Sequence, residues 1–241
     1  MAALLQVEAV SKNFSGLSAV ADVSFAVPQG AIFAVIGPNG AGKTTLFNII
    51  AGVFAPNTGS IQFDGQRIDG LPPDEVCRRG IGRTFQIVRP FPGLTVEDNV
   101  VVGALLRHPD PADAIRHAQA ILERLELADK RRNLAGALTL PDRKRLEVAR
   151  ALATEPKLLL LDEVMAGLRP TETDRMVEIL RKLNRDTGLT ILLIEHVMRA
   201  VMSVATRVLV LHHGAAIAEG IPQAVVRDPA VISSYLGAEA V

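Results

Sequence analysis

The 241-residue sequence has no tryptophan, one tyrosine and one cysteine. With so few large aromatic side chains, an extended stacking surface for single-stranded nucleic acid is not expected. A single cysteine excludes a disulfide framework and a cysteine-based zinc cluster, which fits a reducing compartment. The 26 basic and 26 acidic residues balance, so neither a globally basic nucleic-acid binder nor an acidic tail protein is indicated.

The sequence also has no apolar run of the roughly 18 to 20 residues that a transmembrane helix requires. The segment 100–106 is one of the longest apolar runs, and it is only a few residues long. Residues 1–6 carry no positive charge and Glu8 interrupts the apolar pattern, which does not fit a secretory signal. We therefore expect a cytosolic chain that reaches a membrane only through a partner.

Apolar residues make up 49% of the chain, which is enough to form a buried core. Near the start, alternating apolar and polar residues predict half-buried strands, and Asp64 with Gly65 predicts a hairpin turn. Continuous apolar runs predict strands that are buried on both faces of a parallel sheet. These runs are 31–36, 158–161, 190–194 and 208–211.

Helices are expected between and after these runs. Thr95 with Asp98 has the spacing of a capping box, and Pro111 is expected to begin another helix. The apolar stripe of that second helix is predicted at Ile115, Leu122 and Leu125. Further helices are predicted at 45–51, 143–154 and 171–186, with a short one from 197. The pattern indicates an α/β core with strand-rich material before it and a helical insertion within it.

Residues 37–44 match the phosphate-binding pattern G-x-x-x-x-G-K-[ST] in full, between a buried strand and an expected helix. Glycines let backbone N–H groups turn toward phosphate oxygens, and the helix N-terminus adds about half a positive charge. Lys43 is expected to reach the β- and γ-phosphates, and the Thr44 hydroxyl to ligate Mg²⁺. The alternative is a glycine-rich turn without a ligand, but a chance match is roughly one in a hundred. The expected nucleotide-binding residues here are Gly37, Pro38, Asn39, Gly40, Ala41, Gly42, Lys43, Thr44 and Thr45.

The buried run at 158–161 ends in two acidic residues, Asp162 and Glu163. An apolar strand brings its last residue to the carboxyl edge of the sheet, where open α/β sheets bind ligands. Asp162 is expected to hold Mg²⁺ through water, since Mg²⁺ keeps several waters. Glu163 can address the attacking water as a general base. The alternative is that the two acids cap the following helix, which is less probable beside a phosphate-binding loop.

With these motifs, the chain resembles the ATP-binding subunits of ABC transporters from about residue 4 to residue 237. The resemblance implies an α/β fold: a P-loop NTPase core of the ABC ATPase type, an N-terminal antiparallel β subdomain and an inserted helical subdomain. It implies one ABC ATPase domain over 1–241, with the core and β lobe at about 1–86 and 156–241 and the helical lobe at about 87–155. The implied activity is ATP hydrolysis coupled to solute transport, with ATP and Mg²⁺ as cofactors.

The resemblance also assigns roles outside the two motifs. Phe14 resembles the aromatic residue that stacks on adenine, with core packing as the alternative. Gln86 resembles the glutamine that senses Mg²⁺ and the attacking water, with a solvated loop amide as the alternative. His196 resembles the switch histidine that contacts the γ-phosphate, with a structural histidine as the alternative. The implied catalytic residues are Glu163, His196, Gln86 and Lys43, and the implied Mg²⁺ residues are Thr44, Gln86 and Asp162.

The family signature, usually L-S-G-G-Q, acts on ATP held by the other subunit, and here it is altered. The matching residues are Leu138, Thr139, Leu140, Pro141 and Asp142. Pro141 has no N–H, so a donor to the γ-phosphate is lost if the backbone geometry is kept. Arg143 begins a basic run that faces a phosphate or forms a solvated charged turn. Val164 stands where many relatives have proline, and we expect little consequence.

Within the family, the chain most resembles uptake systems for branched-chain amino acids and related amides, in segments 46–52, 83–86, 145–150 and 234–237. The resemblance implies a second, different ATP-binding subunit, two permease subunits and an external solute-binding protein, with no nucleic acid. It implies a peripheral position on the cytoplasmic face of the inner membrane. The altered signature predicts an asymmetric pair, in which the site that uses this signature hydrolyses ATP more slowly.

Three other functions fit the residues less well. An ABC-type module that binds ATP with weak or no turnover fits the altered signature, but Glu163 and His196 argue against it. A non-transport ABC ATPase acting on DNA or ribosomes would carry a long coiled-coil insertion or a second cassette, and neither is present. A GTPase or small-molecule kinase lacks support because the chain has no Asn-Lys-x-Asp guanine motif.

Overall fold

The computed structural model describes residues 3–85 and 90–236. The strands in these ranges are β1 (Ala3–Phe14), β2 (Leu17–Pro28), β3 (Ile32–Ile36), β4 (Thr58–Phe63), β5 (Gln66–Arg67), β6 (Ile81–Arg83), β7 (Leu158–Asp162), β8 (Thr190–Ile194), β9 (Arg207–His212) and β10 (Ala215–Gly220). The α-helices are α1 (Lys43–Ile50), α2 (Pro73–Arg78), α3 (Val96–Ala104), α4 (Pro111–Arg124), α5 (Leu140–Leu152), α6 (Pro170–Thr187), α7 (Met198–Val204), α8 (Pro222–Val225) and α9 (Pro229–Leu236). None of these helices combines the length and apolar character that crossing a bilayer demands.

The chain forms two compact units, one made of residues 1–76 with 190–241 and the other of residues 77–189. The first unit contains the antiparallel sheet β2-β1-β4-β5 and the strand order β10-β9-β3-β8. The second contains the parallel pair β6 and β7 and the helices α3 to α6. The lobe boundaries near residues 87 and 155 stay a prediction.

The antiparallel sheet of the first unit has the predicted alternation of buried and exposed residues. Along β1, Leu5 and Val7 are buried while Gln6 and Glu8 are not. The predicted hairpin is confirmed, because Phe63 pairs with Gln66 across a two-residue turn. Both turn residues, Asp64 and Gly65, have positive φ, as expected of a tight β-hairpin turn.

The parallel strands of the first unit hold the core. β3 lies between β8 and β9 and is parallel to both, and every residue of β3 and β8 is buried. The continuous apolar runs therefore form doubly covered strands, as predicted. Since these strands are parallel, the loops that follow β3, β8 and β9 begin at the same edge of the sheet.

Helix boundaries in the second unit follow local sequence signals. Thr95 accepts a hydrogen bond from the Asp98 N–H, and the Asp98 side chain accepts one from the Thr95 N–H, which confirms the capping box. Asp110 is the N-cap residue of α4, with Pro111 in the first helical position.

The predicted apolar stripe of α4 was partly wrong. Ile115 is 38% exposed, whereas Leu122 and Leu125 are buried as expected. The buried face also includes Ala114, Ala118 and Ile121. Small alanines let α4 pack closely against α3 and α5, and the alanine positions were not counted as apolar anchors in the sequence pattern.

α5 begins at Leu140, three residues before the predicted start at 143. Pro141 lies in its first turn, where the missing N–H leaves no intrahelical bond unmade. The signature residues from Thr139 to Asp142 are thus the N-cap and first turn of this helix, and Leu138 precedes them. β6 was not predicted, because a three-residue strand gives too short a pattern.

Candidate functional site

The loop between β3 and α1 has the backbone of an anion-binding loop. Gly37, Gly40 and Gly42 all have positive φ, at 145°, 78° and 98°. Gly42 is the N-cap residue of α1, so the helix N-terminus opens directly onto the loop. Thr44 is exposed and Lys43 is buried. Backbone N–H groups and the helix dipole therefore meet at one place, which suits a phosphate group.

Two of these glycines are also required by packing. A Cβ built on Gly37 would lie 2.1 Å from the carbonyl oxygen of Leu211 in β9. One built on Gly42 would lie 2.2 Å from the carbonyl oxygen of Ala19 in β2. Neither backbone atom can move without disturbing its strand. Sequence reasoning identified the conformational role of the glycines but missed this close approach.

Lys43 is held inside the loop by backbone carbonyl groups. Its ammonium donates hydrogen bonds to the carbonyl oxygens of Gly37 at 2.7 Å and Pro38 at 2.9 Å. The far side of the loop is tied to the β9–β10 turn, since the Gly214 N–H donates to the Ala41 carbonyl at 3.1 Å. The lysine charge is thus positioned at the same loop as the helix N-terminus.

Tyr235 in α9 also contacts this loop, and sequence reasoning gave it no role. A backbone hydrogen bond from Gly37 reaches its phenol oxygen. Burial raises the pKa of the Tyr235 phenol, and the Gly37 hydrogen bond offsets part of that rise. The sequence signal for Tyr235 is that segment 234–237 resembles the corresponding segment of branched-chain amino acid uptake systems.

Phe14 lies at the end of β1 and is 38% exposed, which is inconsistent with a core-packing role. Its ring makes an edge-to-face contact with Phe54, with centroids 5.2 Å apart. The Lys12 ammonium lies 5.3 Å from the Phe14 ring centroid and donates to the Ala55 carbonyl at 2.7 Å. The aromatic ring is therefore presented at the surface beside a fixed cation.

His196 and Gln86 are the remaining residues to which the family resemblance assigns a role. His196 is exposed in the connection between β8 and α7. Gln86 lies outside the described residues.

Asp162, in the second unit, is the last residue of β7 and is 1% exposed. Its backbone N–H donates to the Thr84 hydroxyl, and one carboxylate oxygen lies 3.3 Å from an Arg83 guanidinium nitrogen. No hydrogen-bond donor within the described ranges reaches the other oxygen, Oδ1. Burial raises the pKa of Asp162 above its usual value. The Arg83 guanidinium lowers this pKa and the Glu163 carboxylate raises it, and the net result is a raised pKa. A buried carboxylate whose second oxygen receives no hydrogen bond in the described part of the chain is a suitable partner for a cation bound beside it.

Glu163 follows with a φ of 51°, a left-handed conformation that is uncommon for a residue with a side chain. Its carbonyl oxygen accepts hydrogen bonds from the Lys144 ammonium at 2.8 Å and from the Ala166 N–H at 3.2 Å. Neither acid caps the next helix, since α6 begins at Pro170. Lys144 is 4% exposed, and its part in holding this turn was missed by sequence reasoning.

The altered signature is organised around Asp142, which is 3% exposed. Its carboxylate accepts hydrogen bonds from Thr139, Lys130 and Arg145. Arg143 donates to the carbonyl oxygens of Leu138 at 2.8 Å and Gly136 at 3.2 Å. The solvated charged turn considered for the basic run is therefore wrong, because its side chains are engaged within the chain and Lys144 is buried.

The family model for ABC transporters matches residues 20–166, a span that includes the glycine-rich loop and both acids. The chain belongs to the ABC transporter family. A second model, described as a branched-chain amino acid ATP-binding cassette transporter, matches residues 217–241. As an ATP-binding cassette, this chain binds nucleotide and is an ATPase.

Curated relatives span almost the full chain. It is 38% identical to the high-affinity branched-chain amino acid transport ATP-binding protein BraF of Pseudomonas aeruginosa, covering 97% of this chain and 98% of that protein. It is 39% identical to LivG of Escherichia coli, which has the same descriptive name and the same coverage. A probable LivG of Archaeoglobus fulgidus is 36% identical over 98% of this chain and 96% of that protein.

Solved ABC cassettes share the fold. A crystal structure of an ABC transporter cassette in its ADP conformation superposes with a TM-score of 0.90 at 31% identity, covering 98% of this chain and all of that one. A nucleotide-free cassette gives a TM-score of 0.89 at 31% identity, covering 97% and 99%. The fold class predicted from the sequence is thereby confirmed.

We predict that Asp142→Asn lowers the free energy of unfolding at pH 7 by about 1–3 kcal/mol, since it weakens charge-assisted hydrogen bonds to a buried carboxylate. Burial would raise the pKa of Asp142, but hydrogen bonds from Lys130, Thr139 and Arg145 lower it overall. The carboxylate therefore stabilises the fold above about pH 4 and loses that effect as the pH falls through the lowered pKa.

Urea denaturation of both proteins from pH 7 to pH 3 measures this difference. The exposed acid Asp129 provides the matched control, because Asp129→Asn makes the same chemical change without the buried contacts. A pH-independent difference between Asp142→Asn and wild type would contradict the assignment.

Proposed function

We propose that this chain is the ATP-hydrolysing subunit of a membrane importer for branched-chain amino acids or related small solutes. The observation that carries the proposal is near-complete coverage by relatives named for branched-chain amino acid transport. Residues 217–241 match the branched-chain amino acid ATP-binding cassette family. This match supports the proposal independently, because the segment lies outside the ATPase motifs that all cassettes share. In this role the chain sits peripherally on the cytoplasmic face of the membrane, against two permease subunits that work with an external solute-binding protein.

In the proposed mechanism, residues 37–45 hold the triphosphate and Phe14 stacks on adenine. The Lys43 ammonium exchanges its two carbonyl partners for β- and γ-phosphate oxygens, which carry more charge and so bind it more strongly. The half-exposed Phe14 ring, with Lys12 above it, suits a flat aromatic ligand. Gly37 and Gly42 pack against neighbouring strands, which restrains the backbone of the loop.

The residues proposed to hold Mg²⁺ are Thr44, Gln86 and Asp162. The buried Asp162 carboxylate, with Oδ1 unbonded among the described residues, has the chemistry of a hard-cation ligand. A Mg²⁺ ion held by these residues would supply positive charge to offset the negative charge that develops on the phosphate oxygens. Arg83 keeps the other oxygen of Asp162 in place.

Glu163 is proposed to accept a proton from the attacking water, and His196 to contact the γ-phosphate. Glu163 has a left-handed backbone conformation, and Lys144 and Ala166 hold this turn by donating hydrogen bonds to its carbonyl oxygen. Because phosphoryl transfer depends on positioning and electrostatics, this restraint matters more than the intrinsic strength of the base.

A second ATP-binding subunit is proposed to complete each site with its own signature. The signature of this chain offers the partner's ATP a proline at position 141 and a threonine hydroxyl already bonded to Asp142. The ATP site that uses this signature therefore has fewer hydrogen-bond donors to the nucleotide, so the two ATP sites of the subunit pair differ. The same observations favour a second candidate, a module that binds ATP at its own loop and turns over weakly.

We expect Lys43→Ala and Glu163→Gln to separate binding from chemistry. Lys43→Ala removes a charged phosphate donor and should weaken ATP binding by at least about tenfold. Glu163→Gln removes the base and should leave binding near wild type while lowering the ATPase rate by about a hundredfold or more.

Calorimetric ATP titration and steady-state ATPase assays of the assembled transporter give both quantities. Glu123→Gln, the same change at an exposed acid outside the proposed site, is the matched control and should leave both unchanged. Wild-type turnover in Glu163→Gln would contradict the proposed role of Glu163, and negligible turnover in the wild-type complex would favour the weak-turnover module.

Restoring an N–H at position 141 is expected to speed the slower site. Pro141→Gly and Pro141→Ala each supply the missing donor, and a hydrogen bond to a charged group corresponds to about tenfold or more in rate at that site. ATP-driven association with the second subunit should strengthen in parallel. Pro111→Ala, also in the first turn of a helix, controls for the loss of a proline.

The measurements are the ATPase rate of the assembled complex and the ATP concentration needed for subunit association. An unchanged rate and unchanged association in both Pro141 variants would argue against the asymmetric pair.

A further inference from the structure

Two histidines and a glutamate converge in the unit formed by residues 77–189, and the proposed ATPase mechanism uses none of them. His108 lies in the connection between α3 and α4, His117 in α4, and Glu155 just after α5. We call these three residues the His–His–Glu cluster. It joins three segments that are separate in the sequence.

The potential ligand atoms of the cluster lie within 4.8 Å of one another. His108 Nε2 is 2.9 Å and His117 Nε2 is 3.6 Å from the same carboxylate oxygen of Glu155. Tetrahedral zinc with bonds of about 2.0–2.1 Å places its ligand atoms about 3.3 Å apart. The observed separations bracket that value, so small side-chain rotations would complete the geometry.

His117 is the residue that most clearly indicates a missing partner. Its Nε2 atom is buried, and it makes no hydrogen bond to any group in the described part of the chain. A buried polar nitrogen without a hydrogen bond destabilises the folded chain.

The backbone around the cluster is restrained. Glu155 has a φ of 51°, and its N–H donates to the Leu152 carbonyl at 3.0 Å. Arg107, next to His108, donates to the carbonyl oxygens of Arg78 and Thr154, which places residues 107 and 154 side by side. The potential ligands are thus held by their own segments, as expected of a preorganised site.

We propose that the His–His–Glu cluster binds one divalent cation of the zinc type through the two imidazoles and the carboxylate, with water in the remaining position. Two neutral nitrogens and one oxygen are a donor set that zinc accepts, whereas Mg²⁺ and Ca²⁺ prefer oxygen ligands alone. The cluster is therefore chemically distinct from the proposed Mg²⁺ residues. The side chains of His108 and Glu155 are 30% and 46% exposed, which gives the ion access from solvent.

A metal-free interpretation of the same contacts is a hydrogen bond from His108 to Glu155 with His117 stacked beside it, the two rings having centroids 4.5 Å apart. That arrangement satisfies Glu155 but leaves the buried nitrogen of His117 without a hydrogen bond. A cation satisfies all three side chains together. The two interpretations differ in whether the folded chain binds a cation that uses His117 as a ligand.

The test uses the full chain, stripped with a chelator, desalted and kept free of nucleotide. Titration with ZnCl₂ by calorimetry should show saturable binding of one Zn²⁺ per chain. Co²⁺ as an optical probe should give the intense visible absorption of a tetrahedral site. Zn²⁺ should also raise the thermal unfolding midpoint, since the ion would join three segments of the folded chain.

His117→Gln and Glu155→Gln should each weaken Zn²⁺ binding by at least about tenfold and abolish the tetrahedral Co²⁺ spectrum. His212→Gln, a histidine outside the cluster, is the matched control and should bind like wild type. If circular dichroism shows that His117→Gln does not fold, His108→Gln replaces it, because that side chain is partly exposed. Failure of the folded wild type to bind Zn²⁺, or equal affinity in folded cluster variants and wild type, would overturn the proposal.

Discussion

The close approach of the loop glycines to neighbouring strands is the constraint on which the nucleotide site depends. The backbone of Gly37 lies against the Leu211 carbonyl and that of Gly42 against the Ala19 carbonyl, leaving no space for a Cβ at either position. These contacts fix where β3 ends and where α1 begins. The positive end of the helix, the backbone amides and the Lys43 ammonium are consequently brought to one point without any side-chain cap at Gly42.

In the unit formed by residues 77–189, buried hydrogen bonds hold the charged groups of the proposed site in position. Asp162 is held between Arg83 and the Thr84 hydroxyl, and the turn at Glu163 is held by Lys144 from the first half of α5. The helix that carries the altered signature is therefore bonded directly to the backbone of the proposed catalytic acid. A structural change at the start of α5 can alter the turn at Glu163 through the Lys144 side chain. The signature therefore has a structural role within its own subunit.

The sequence was sufficient to predict the elements that depend on short-range patterns. The doubly buried strands, the hairpin at Asp64 and the capping box at Thr95 were correct because each is set by neighbouring residues. The exposure of Ile115, the early start of α5 and the contact from Lys144 to Glu163 could not be predicted, because each depends on which distant surface the segment meets. The roles of Phe14, His196 and Gln86 stay predictions that rest on the family resemblance.

The central claim is that the loop binds the phosphate chain of a nucleotide more than its base. The most direct measurement is a calorimetric comparison of ATP, ADP and AMP binding to the wild-type chain in the presence of Mg²⁺. We expect measurable binding of ATP and ADP and a loss of about tenfold or more with AMP, which lacks the β- and γ-phosphates that Lys43 is proposed to contact. Equal affinity for all three nucleotides would contradict it.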